Sequence, residues 1–272
     1  MRAVTLLFLS FIISCDRPQK DITGIHGYDG NTFAYIYREN GKEGLLDTNM
    51  NVILPAQFDY IEDWQVDNLV RIDSGGERLK GGDVVGYNFK KYGLITTSGI
   101  IVSRPKFDDL TISDNSALVR LDSLFGFLDN TGNWILKPTF KTAYPFYKGT
   151  AVVKDNNQFS LLNKQGQKII SETFDTVYRF KNDVAIASKN KKWGLINYRG
   201  QFILPLDNYR GLGEYNYYHG TFMKDDGKWY LVDTAGNIPI KEGFDKVQTE
   251  AEGDTIFAVG LQNGKQVKIR LN

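Results

Sequence analysis

The hydrophobic pattern of the chain repeats at a nearly constant interval. Short apolar segments such as 193–196 recur with matching residues at one position, called here the key position. The six key residues are Gly44, Gly93, Gly126, Ser160, Gly194 and Tyr230, and their successive spacings are 49, 33, 34, 34 and 36 residues. Self-similarity at a fixed period of this length is the signature of a repeat architecture.

Two further features keep register with the key position. Six residues after it stand Met50, Gly99, Gly132, Gly166, Gly200 and Gly236. Fourteen residues after it stand Phe58, Phe107, Phe140, Phe174 and Phe244, with Tyr209 at fifteen. We interpret the first as a turn that Asp or Asn opens and Gly closes, and the second as an aromatic core residue.

Each copy therefore predicts three strands. Strand A carries the key position, strand B is apolar, as at 202–204, and strand C alternates, as at 117–121. Because proline cannot donate to a ladder, we expect strand B to end at the prolines of four copies, namely Pro55, Pro105, Pro138 and Pro205. No segment shows a sustained helical period.

The sequence predicts an all-β fold of about six tandem β-meander repeats of about 34 residues, forming an open β array or a propeller-like ring. A C-like strand at 33–37 and an A-like strand at 266–271 flank the repeats. Splitting one repeat between the two termini is how propellers close, whereas capping hairpins are typical of open arrays. The period is shorter than the ~40–45 residues of common propeller blades, which favours the open array.

These residues resemble the WG-repeat family over about residues 32–271. Trp193-Gly194 is the one literal match, Tyr92-Gly93 and Phe125-Gly126 keep an aromatic-glycine pair, and Trp229-Tyr230 keeps the tryptophan. Glu43-Gly44 lacks the aromatic residue and Phe159-Ser160 lacks the glycine. The resemblance implies an extracytoplasmic or host-facing β-repeat module that binds or scaffolds, with no shared catalytic residues.

The N-terminus has the pattern of an export signal. Arg2 precedes an apolar run at 4–13, which is shorter than the ~20 residues that span a bilayer. Ile12-Ile13-Ser14-Cys15 resembles the bacterial lipobox, which implies cleavage after Ser14 and lipidation of Cys15, the only cysteine. The alternative is a secreted protein with a chance cysteine there. We expect 1–14 to be a signal peptide, 15–31 the lipidated cysteine and tether, and 32–272 the repeat domain.

The lipobox implies a bacterial cell envelope protein. We expect an anchor in the outer rather than the inner membrane, although Asp16 resembles an inner-membrane retention signal of some bacteria. Removing 1–14 leaves 33 − 1 = 32 Lys+Arg against 32 Asp+Glu. This neutral balance argues against a nucleic-acid partner, since such proteins normally carry a basic excess.

Residues with catalytic or metal-binding potential are sparse. His26 and His219 are the only histidines, and the folded part has no cysteine, so we expect no metal, no cofactor and no catalytic residue. We interpret the recurring acids Asp47, Asp129 and Asp233 as turn formers rather than calcium ligands. The acids after the aromatic position are interpreted as structural too, although a carboxylate pair for glycoside hydrolysis stays open; they are Asp59, Asp108, Asp175 and Asp245.

A tyrosine cluster is the candidate binding surface. Tyr215, Tyr217 and Tyr218 lie among polar residues at 214–219 and could contact a glycan or a protein. Packing on the neighbouring repeat is the alternative, which the similarly placed segment 144–147 favours. The glycine-rich insertion at 75–82 is either a plain surface hairpin or an elaborated binding loop.

The function predicted from these features is a lipid-anchored envelope binding or scaffold module. Its partners would be the membrane, through the anchor, and an unknown envelope protein or polysaccharide. The oligomeric state stays open. The alternatives are an envelope enzyme that acts on glycans with a carboxylate pair, and a purely structural surface protein.

Overall fold

The protein is built from short antiparallel strands. The computed structural model describes residues 22–27, 30–75, 77–81, 84–88, 91–213 and 219–271. These ranges hold 27 strands, arranged as seven sheets of three or four strands and one separate hairpin. Across the same ranges, no helix has the length and apolarity needed to cross a membrane.

The first three sheets follow one another along the chain. Sheet 1 consists of β1 (Ile22–His26), β2 (Thr32–Glu39), β3 (Lys42–Leu46) and β4 (Val52–Phe58). Sheet 2 begins with β5 (Tyr60–Ile61) and β6 (Leu69–Ser74), is interrupted by the hairpin β7 (Glu77–Gly81) and β8 (Val84–Asn88), and ends with β9 (Lys91–Thr96) and β10 (Ile101–Phe107). Sheet 3 consists of β11 (Asp109–Ser113), β12 (Ser116–Leu121), β13 (Leu124–Asp129) and β14 (Trp134–Phe140).

The other four sheets continue the same order. Sheet 4 consists of β15 (Thr142–Ala143), β16 (Thr150–Asp155) and β17 (Gln158–Asn163). Sheet 5 consists of β18 (Thr176–Val177), β19 (Val184–Lys189), β20 (Lys192–Asn197) and β21 (Phe202–Asp207). Sheet 6 consists of β22 (Gly211–Leu212), β23 (His219–Met223) and β24 (Trp229–Asp233), and sheet 7 of β25 (Lys246–Glu252), β26 (Thr255–Gln262) and β27 (Lys265–Leu271).

Each sheet joins the end of one sequence repeat to the start of the next. In sheet 3, β11 and β12 precede the key residue Gly126, while β13 and β14 contain it and follow it. Because of this offset, six key positions give seven sheets: each of the first six sheets contains one key position, and sheet 7 follows the last one. The first described strand begins at Ile22, within the segment 15–31 that the sequence assigned to the tether, rather than at residue 32. The all-β tandem meander predicted from the period is confirmed.

The interior consists of six hydrophobic clusters, each between two consecutive sheets. Phe107 and Leu128, for example, lie in the cluster between sheets 2 and 3. The other clusters join sheets 1–2, 3–4, 4–5, 5–6 and 6–7. Among the residues that the structure describes, no cluster joins sheet 7 to sheet 1.

The predicted turns between strands A and B form as expected. Asp129 accepts hydrogen bonds from the backbone N–H groups of Thr131 and Asn133, both at 2.9 Å, and Gly132 closes the turn with φ +89°. Glycine is required there for a second reason, because a Cβ on it would lie 2.5 Å from the carbonyl oxygen of Val102 in the preceding sheet. Met50 takes the same position in sheet 1, the first sheet of the described residues, with φ +67°.

The key glycine is required by a close backbone approach. In β14, Leu136 pairs with Phe127 but Phe140 pairs with Phe125, so the strand bulges between them. A Cβ on Gly126 would lie 2.7 Å from the nitrogen of Pro138 and 2.8 Å from the oxygen of Leu136. The backbones of β4, β10 and β21 pass equally close to Gly44, Gly93 and Gly194.

The expectation that prolines end strand B is therefore wrong. Strands β4, β10, β14 and β21 all continue past their prolines, to residues 58, 107, 140 and 207. Proline is tolerated because it lies in the bulge, where the ladder needs no N–H donor. In sheets 4 and 6 the key residue is Ser160 or Tyr230, and strand B is reduced to isolated bridges. Any side chain at the key position blocks the close approach.

The outer face of the last sheet carries a charged side chain where the other sheets carry an apolar one. In the six preceding sheets, the residue after the key position is apolar and packs into the next cluster: Leu45, Leu94, Phe127, Leu161, Leu195 and Leu231. By register, the equivalent residue in sheet 7 is Lys268. It pairs with Glu252 at 2.5 Å and lies 4.6 Å from the centre of the Phe257 ring.

Candidate ligand groove between the fifth and sixth sheets

A groove of about 910 Å³ opens between sheets 5 and 6. Its floor is the face of β19 and β20, with Val184, Ile186 and Leu195, and one side is the edge strand β22. Aromatic side chains form much of the remaining wall: Tyr178, Phe180, Trp193 and Tyr209. A concave site of this size, mostly apolar with a few polar groups, is typical of ligand binding.

One additional residue in the repeat explains why the groove exists. The aromatic core residue stands 15 positions after the key position in this repeat, against 14 in the other five. Phe58, Phe107, Phe174 and Phe244 are buried in the interior. Tyr209 is only half-buried and packs edge-on against Phe222, with ring centroids 5.3 Å apart. Tyr209 thus packs at the edge of the cluster between sheets 5 and 6 and also lines the groove.

Trp193 faces this space instead of a packed interior. Residues at the equivalent position in other repeats pack against the cluster that joins their sheet to the next, namely Tyr92, Phe125, Phe159 and Trp229. The cluster between sheets 5 and 6 does not include Trp193, which lines the groove. The single literal Trp-Gly pair of the sequence is thus the one whose tryptophan faces a cavity.

The loop at 178–183 holds the rim of the groove in place. The Tyr178 N–H donates to the carbonyl of Ile186 at 3.0 Å, and Lys181 and Val184 exchange backbone hydrogen bonds. Asn182 and Asp183 make the turn with φ +49° and +72°. Tyr178, although tethered by its backbone, leaves 50% of its surface exposed. Its ring is available to a ligand without any rearrangement of the loop.

An aromatic cluster continues the groove toward sheet 4. Phe180 stacks on Tyr147 with centroids 5.9 Å apart, and Tyr198 meets Tyr147 edge-on at 6.3 Å. The Tyr147 hydroxyl donates to Asp183 at 2.7 Å, and Lys148 pairs with Asp183 at 2.5 Å. Hydrogen bonding from Lys148 lowers the pKa of Asp183, against a smaller opposing effect of burial. This carboxylate therefore stays ionised and fixes the loop.

The polar groups of the groove are cationic. Arg179, Lys181 and Arg210 line it, and no acidic residue is found among its described lining residues. Arg210 has a distant partner in Asp225, at 3.9 Å, and both side chains are largely exposed. Burial, with the nearby charge of Asp207, raises the pKa of Tyr209, so its hydroxyl stays protonated at neutral pH and can donate.

A second cavity of about 480 Å³ shares Tyr209 with the groove and is acidic. Asp207, Asp225 and Asp226 line it. Asp226 accepts hydrogen bonds from the Tyr230 hydroxyl at 2.6 Å and from the Lys228 N–H at 2.9 Å. The bond from Tyr230 is the main reason for the lowered pKa of Asp226. Tyr209 thus separates a cationic cavity from an acidic one.

A carboxyl group with a strongly raised pKa lies elsewhere, between sheets 1 and 2. Asp73 is completely buried, and neither carboxyl oxygen has a hydrogen-bond partner. Burial raises its pKa to about 7, although Arg71 opposes the shift. Arg71 pairs with Glu62 at 3.1 Å and only approaches Asp73, at 4.0 Å. No sequence pattern marks this group, because its burial depends on how two sheets meet.

The tyrosine cluster and the lipidation site predicted from the sequence lie outside the described residues. Tyr215, Tyr217 and Tyr218 fall between Gly213 and His219, and Cys15 precedes Ile22. The tyrosines remain a prediction. Their segment follows β22, whose Gly211 and Leu212 line the groove. Sequence reasoning missed the groove itself, for which the one available signal was the additional residue before Tyr209.

The recurring acids have structural partners in the array. The predicted turn role of Asp47, Asp129 and Asp233 is seen in their hydrogen bonds to turn N–H groups. Asp59 and Asp108 pair with Lys42 and Lys91, and Asp245 pairs with Lys228. In the described part of the chain, no three His, Cys, Asp or Glu side chains are grouped to hold a metal ion.

Comparison with known proteins agrees with this repeat architecture. The model of the WG containing repeat matches residues 44–76, 125–159 and 159–193. No curated protein matches the chain in sequence. The recurring registration of the key position, the turn and the aromatic residue extends the matched repeats to the rest of the array.

Several solved structures are similar in shape at low sequence identity. BamB from Moraxella catarrhalis is 13% identical with a TM-score of 0.34, covering 92% of this chain and 83% of BamB. Hsv2p from Kluyveromyces lactis is 11% identical with a TM-score of 0.38, covering 88% and 93%. The chain carries WG-containing repeats, matched at three places between residues 44 and 193.

Proposed function

We propose that this protein is a lipid-anchored binding module of the bacterial cell envelope, which holds a protein or polysaccharide in the groove between sheets 5 and 6. The observation that carries the proposal is the lining of that groove. Rings of Tyr178, Trp193 and Tyr209 stand beside the cations Arg179 and Arg210 in one concave site. Aromatic and arginine side chains of this kind dominate the energetics of binding sites.

The anchor part of the proposal rests on the sequence at 12–15. A lipid-modified Cys15 would hold the array at a membrane through the short polar stretch 16–21. Metabolic labelling with a palmitate analogue tests this: the wild-type chain should incorporate the label and fractionate with membranes, more with the outer than with the inner membrane. Cys15→Ser should lose both properties. Labelling of Cys15→Ser at the wild-type level would rule the anchor out.

The binding part is tested by capture from intact cells. Tagged wild-type protein is crosslinked in the envelope, solubilised and analysed for attached protein and carbohydrate, beside a Tyr178→Ala, Trp193→Ala variant. Phe33→Ala, which removes a ring that is 40% exposed on sheet 1, is the matched control. Attached material that the groove variant loses and Phe33→Ala keeps supports the proposal. Equal attachment to the wild type, the groove variant and Phe33→Ala would mean that binding occurs outside the groove.

The tyrosine cluster gives a separate test of the same function. If Tyr215, Tyr217 and Tyr218 contribute to the surface, changing all three to alanine should reduce capture as the groove variant does. Unchanged capture by the triple variant would assign these tyrosines to packing or solvent, and would leave the groove proposal standing on Tyr178 and Trp193.

A glycan-acting enzyme is the second candidate, favoured by the acidic cavity beside the groove. Two carboxylates facing one sugar-binding site are what glycoside hydrolysis requires. Asp207 and Asp225 line that cavity. Release of reducing ends from envelope polysaccharide by the wild-type protein, lost in Asp207→Asn, would establish this function. Stable capture without any release of reducing ends supports the binding module.

A further inference from the structure

We infer that the groove between sheets 5 and 6 binds an acidic polysaccharide, one whose sugars carry carboxylates. The inference rests on the proposed function and names the ligand class for the same site. It follows from three properties of the groove: its exposed rings, the sign of its charges, and its continuation toward sheet 4.

The first property is the arrangement of rings. Tyr178 is half exposed at the rim, and Trp193 and Tyr209 are half-buried in the wall. A sugar ring has a flat C–H face and a polar rim, which suits side chains with an apolar body and a polar tip. Phe222, which the Tyr209 ring meets edge-on, supports that wall from within. The groove therefore exposes aromatic rings, and packing against Phe222 holds the Tyr209 ring in place.

The second property is the charge. Arg179, Lys181 and Arg210 line the groove, and no acidic residue is among its described lining residues, although Arg210 approaches Asp225 at 3.9 Å from outside that lining. Carboxylates bind such guanidinium groups through charge-assisted hydrogen bonds.

The third property is length. Phe180 lines the groove and stacks on Tyr147, and Arg199 lies over the ring of Tyr198 at 5.3 Å, so rings and cations continue beyond the groove. A polymer can use this extended surface, whereas a single sugar cannot. Each uronic acid residue supplies both a flat face and a carboxylate. A peptide would need two different side chains to supply them.

The experiment measures binding of purified protein to oligogalacturonate by calorimetry at two salt concentrations. Methyl-esterified oligogalacturonate has the same rings without charge, and poly-glutamate has the charge without rings. We expect binding of the free acid that weakens as salt rises, with affinity at least about tenfold lower for the ester and for poly-glutamate. Equal affinity for the ester overturns the charge argument, and equal affinity for poly-glutamate overturns the polysaccharide in favour of an acidic peptide.

Variants locate the site. Tyr178→Ala and Arg179→Ala should each lower the affinity about tenfold. Phe33→Ala and Arg270→Ala, which remove a ring from sheet 1 and an exposed charge from sheet 7, should leave it unchanged. All four positions are exposed, so folding is expected to survive and is checked by circular dichroism. Equal losses in the controls would overturn the site.

Failure of this inference is distinguishable from failure of the proposed function. If no acidic oligosaccharide binds while capture from cells still depends on Tyr178 and Trp193, the ligand class is wrong and the binding function stands. If capture shows no dependence on the groove either, the proposed function itself fails.

Discussion

At the residue scale, two kinds of position determine the shape of each sheet. The key glycine allows strand B to pass over strand A within contact of its Cα, and the Asx-x-x-Gly turn brings the two strands together. Sheet 5 shows the first effect clearly. A Cβ on Gly194 would lie 2.5 Å from the oxygen of Leu204 and 3.0 Å from the carbonyl carbon of Pro205.

Gly194→Ala should therefore destabilise the protein by about 1–3 kcal/mol, because the backbone of β21 must shift to admit the methyl group. Denaturant unfolding followed by circular dichroism measures the change. Ser160→Ala is the matched control, since position 160 already carries a Cβ and sheet 4 forms no full strand B. A loss for Ser160→Ala as large as that for Gly194→Ala would contradict the close-approach explanation.

Asp73 gives the protein a specific pH dependence. Its pKa is about 7 in the folded state against 3.8 for an ordinary aspartate, so between these values the folded state binds more protons than the unfolded state. The free energy of unfolding should then fall as pH rises from about 4 to 7. Asp73→Asn, which is neutral at every pH, should flatten this dependence and be more stable than wild type above pH 7.

Denaturant titrations at several pH values test this. Asp254→Asn, at an exposed turn, is the control and should keep the wild-type slope. The raised pKa of Glu62, caused mainly by burial, leaves a smaller residual slope in Asp73→Asn. An identical dependence on pH in wild type and Asp73→Asn would show that Asp73 is not held protonated.

At the element scale, strand register connects the sequence to the groove. Deleting Asn208, an exposed residue after β21, restores the spacing of 14 found in the other repeats. Tyr209 should then move into the interior and close the groove around Trp193. Iodide quenching, taken as the difference between each protein and its Trp193→Phe variant, should show a less accessible Trp193 in the deletion.

The deletion has a built-in check on folding. Thermal stability should not fall, since a buried ring replaces a half-buried one. An unchanged Trp193 accessibility in a stable deletion variant would contradict the role assigned to the additional residue. The deletion must be made at Asn208. Deleting Asn190, in the turn between β19 and β20, would instead shift the pairing of those two strands.

Some of these elements could be predicted from the sequence alone, and others could not. Period, turns and aromatic core positions were readable because they depend on local chemistry and alternation. The continuation of strands past Pro55, Pro105, Pro138 and Pro205 was not, since it depends on bulges that only the paired strand reveals. The groove and buried Asp73 depend on how two sheets pack, which no single repeat encodes.

At the scale of the whole molecule, the array is a row of sheets in which each cluster joins neighbours. Stability should then be approximately a sum of sheets and interfaces. Phe107→Ala, which empties a buried position between sheets 2 and 3, should cost about 3–5 kcal/mol. Hydrogen exchange should accelerate most in sheets 2 and 3 and least in sheets 6 and 7.

The exposed Phe202→Ala serves as the control for that experiment and should change exchange only locally. Uniform acceleration over all seven sheets after Phe107→Ala would mean that the array unfolds as one cooperative unit. That result would contradict the nearest-neighbour description and would support closure of the ring.

The most direct test of the account places a photo-crosslinking amino acid at position 178, on the rim of the groove, and at position 33 on sheet 1. Both proteins are irradiated in intact cells and their adducts compared. The account predicts a discrete adduct at position 178 that Arg179→Ala weakens, and none of that kind at position 33. The same adducts at both positions, or none at position 178 in folded protein, would contradict the groove as the binding site.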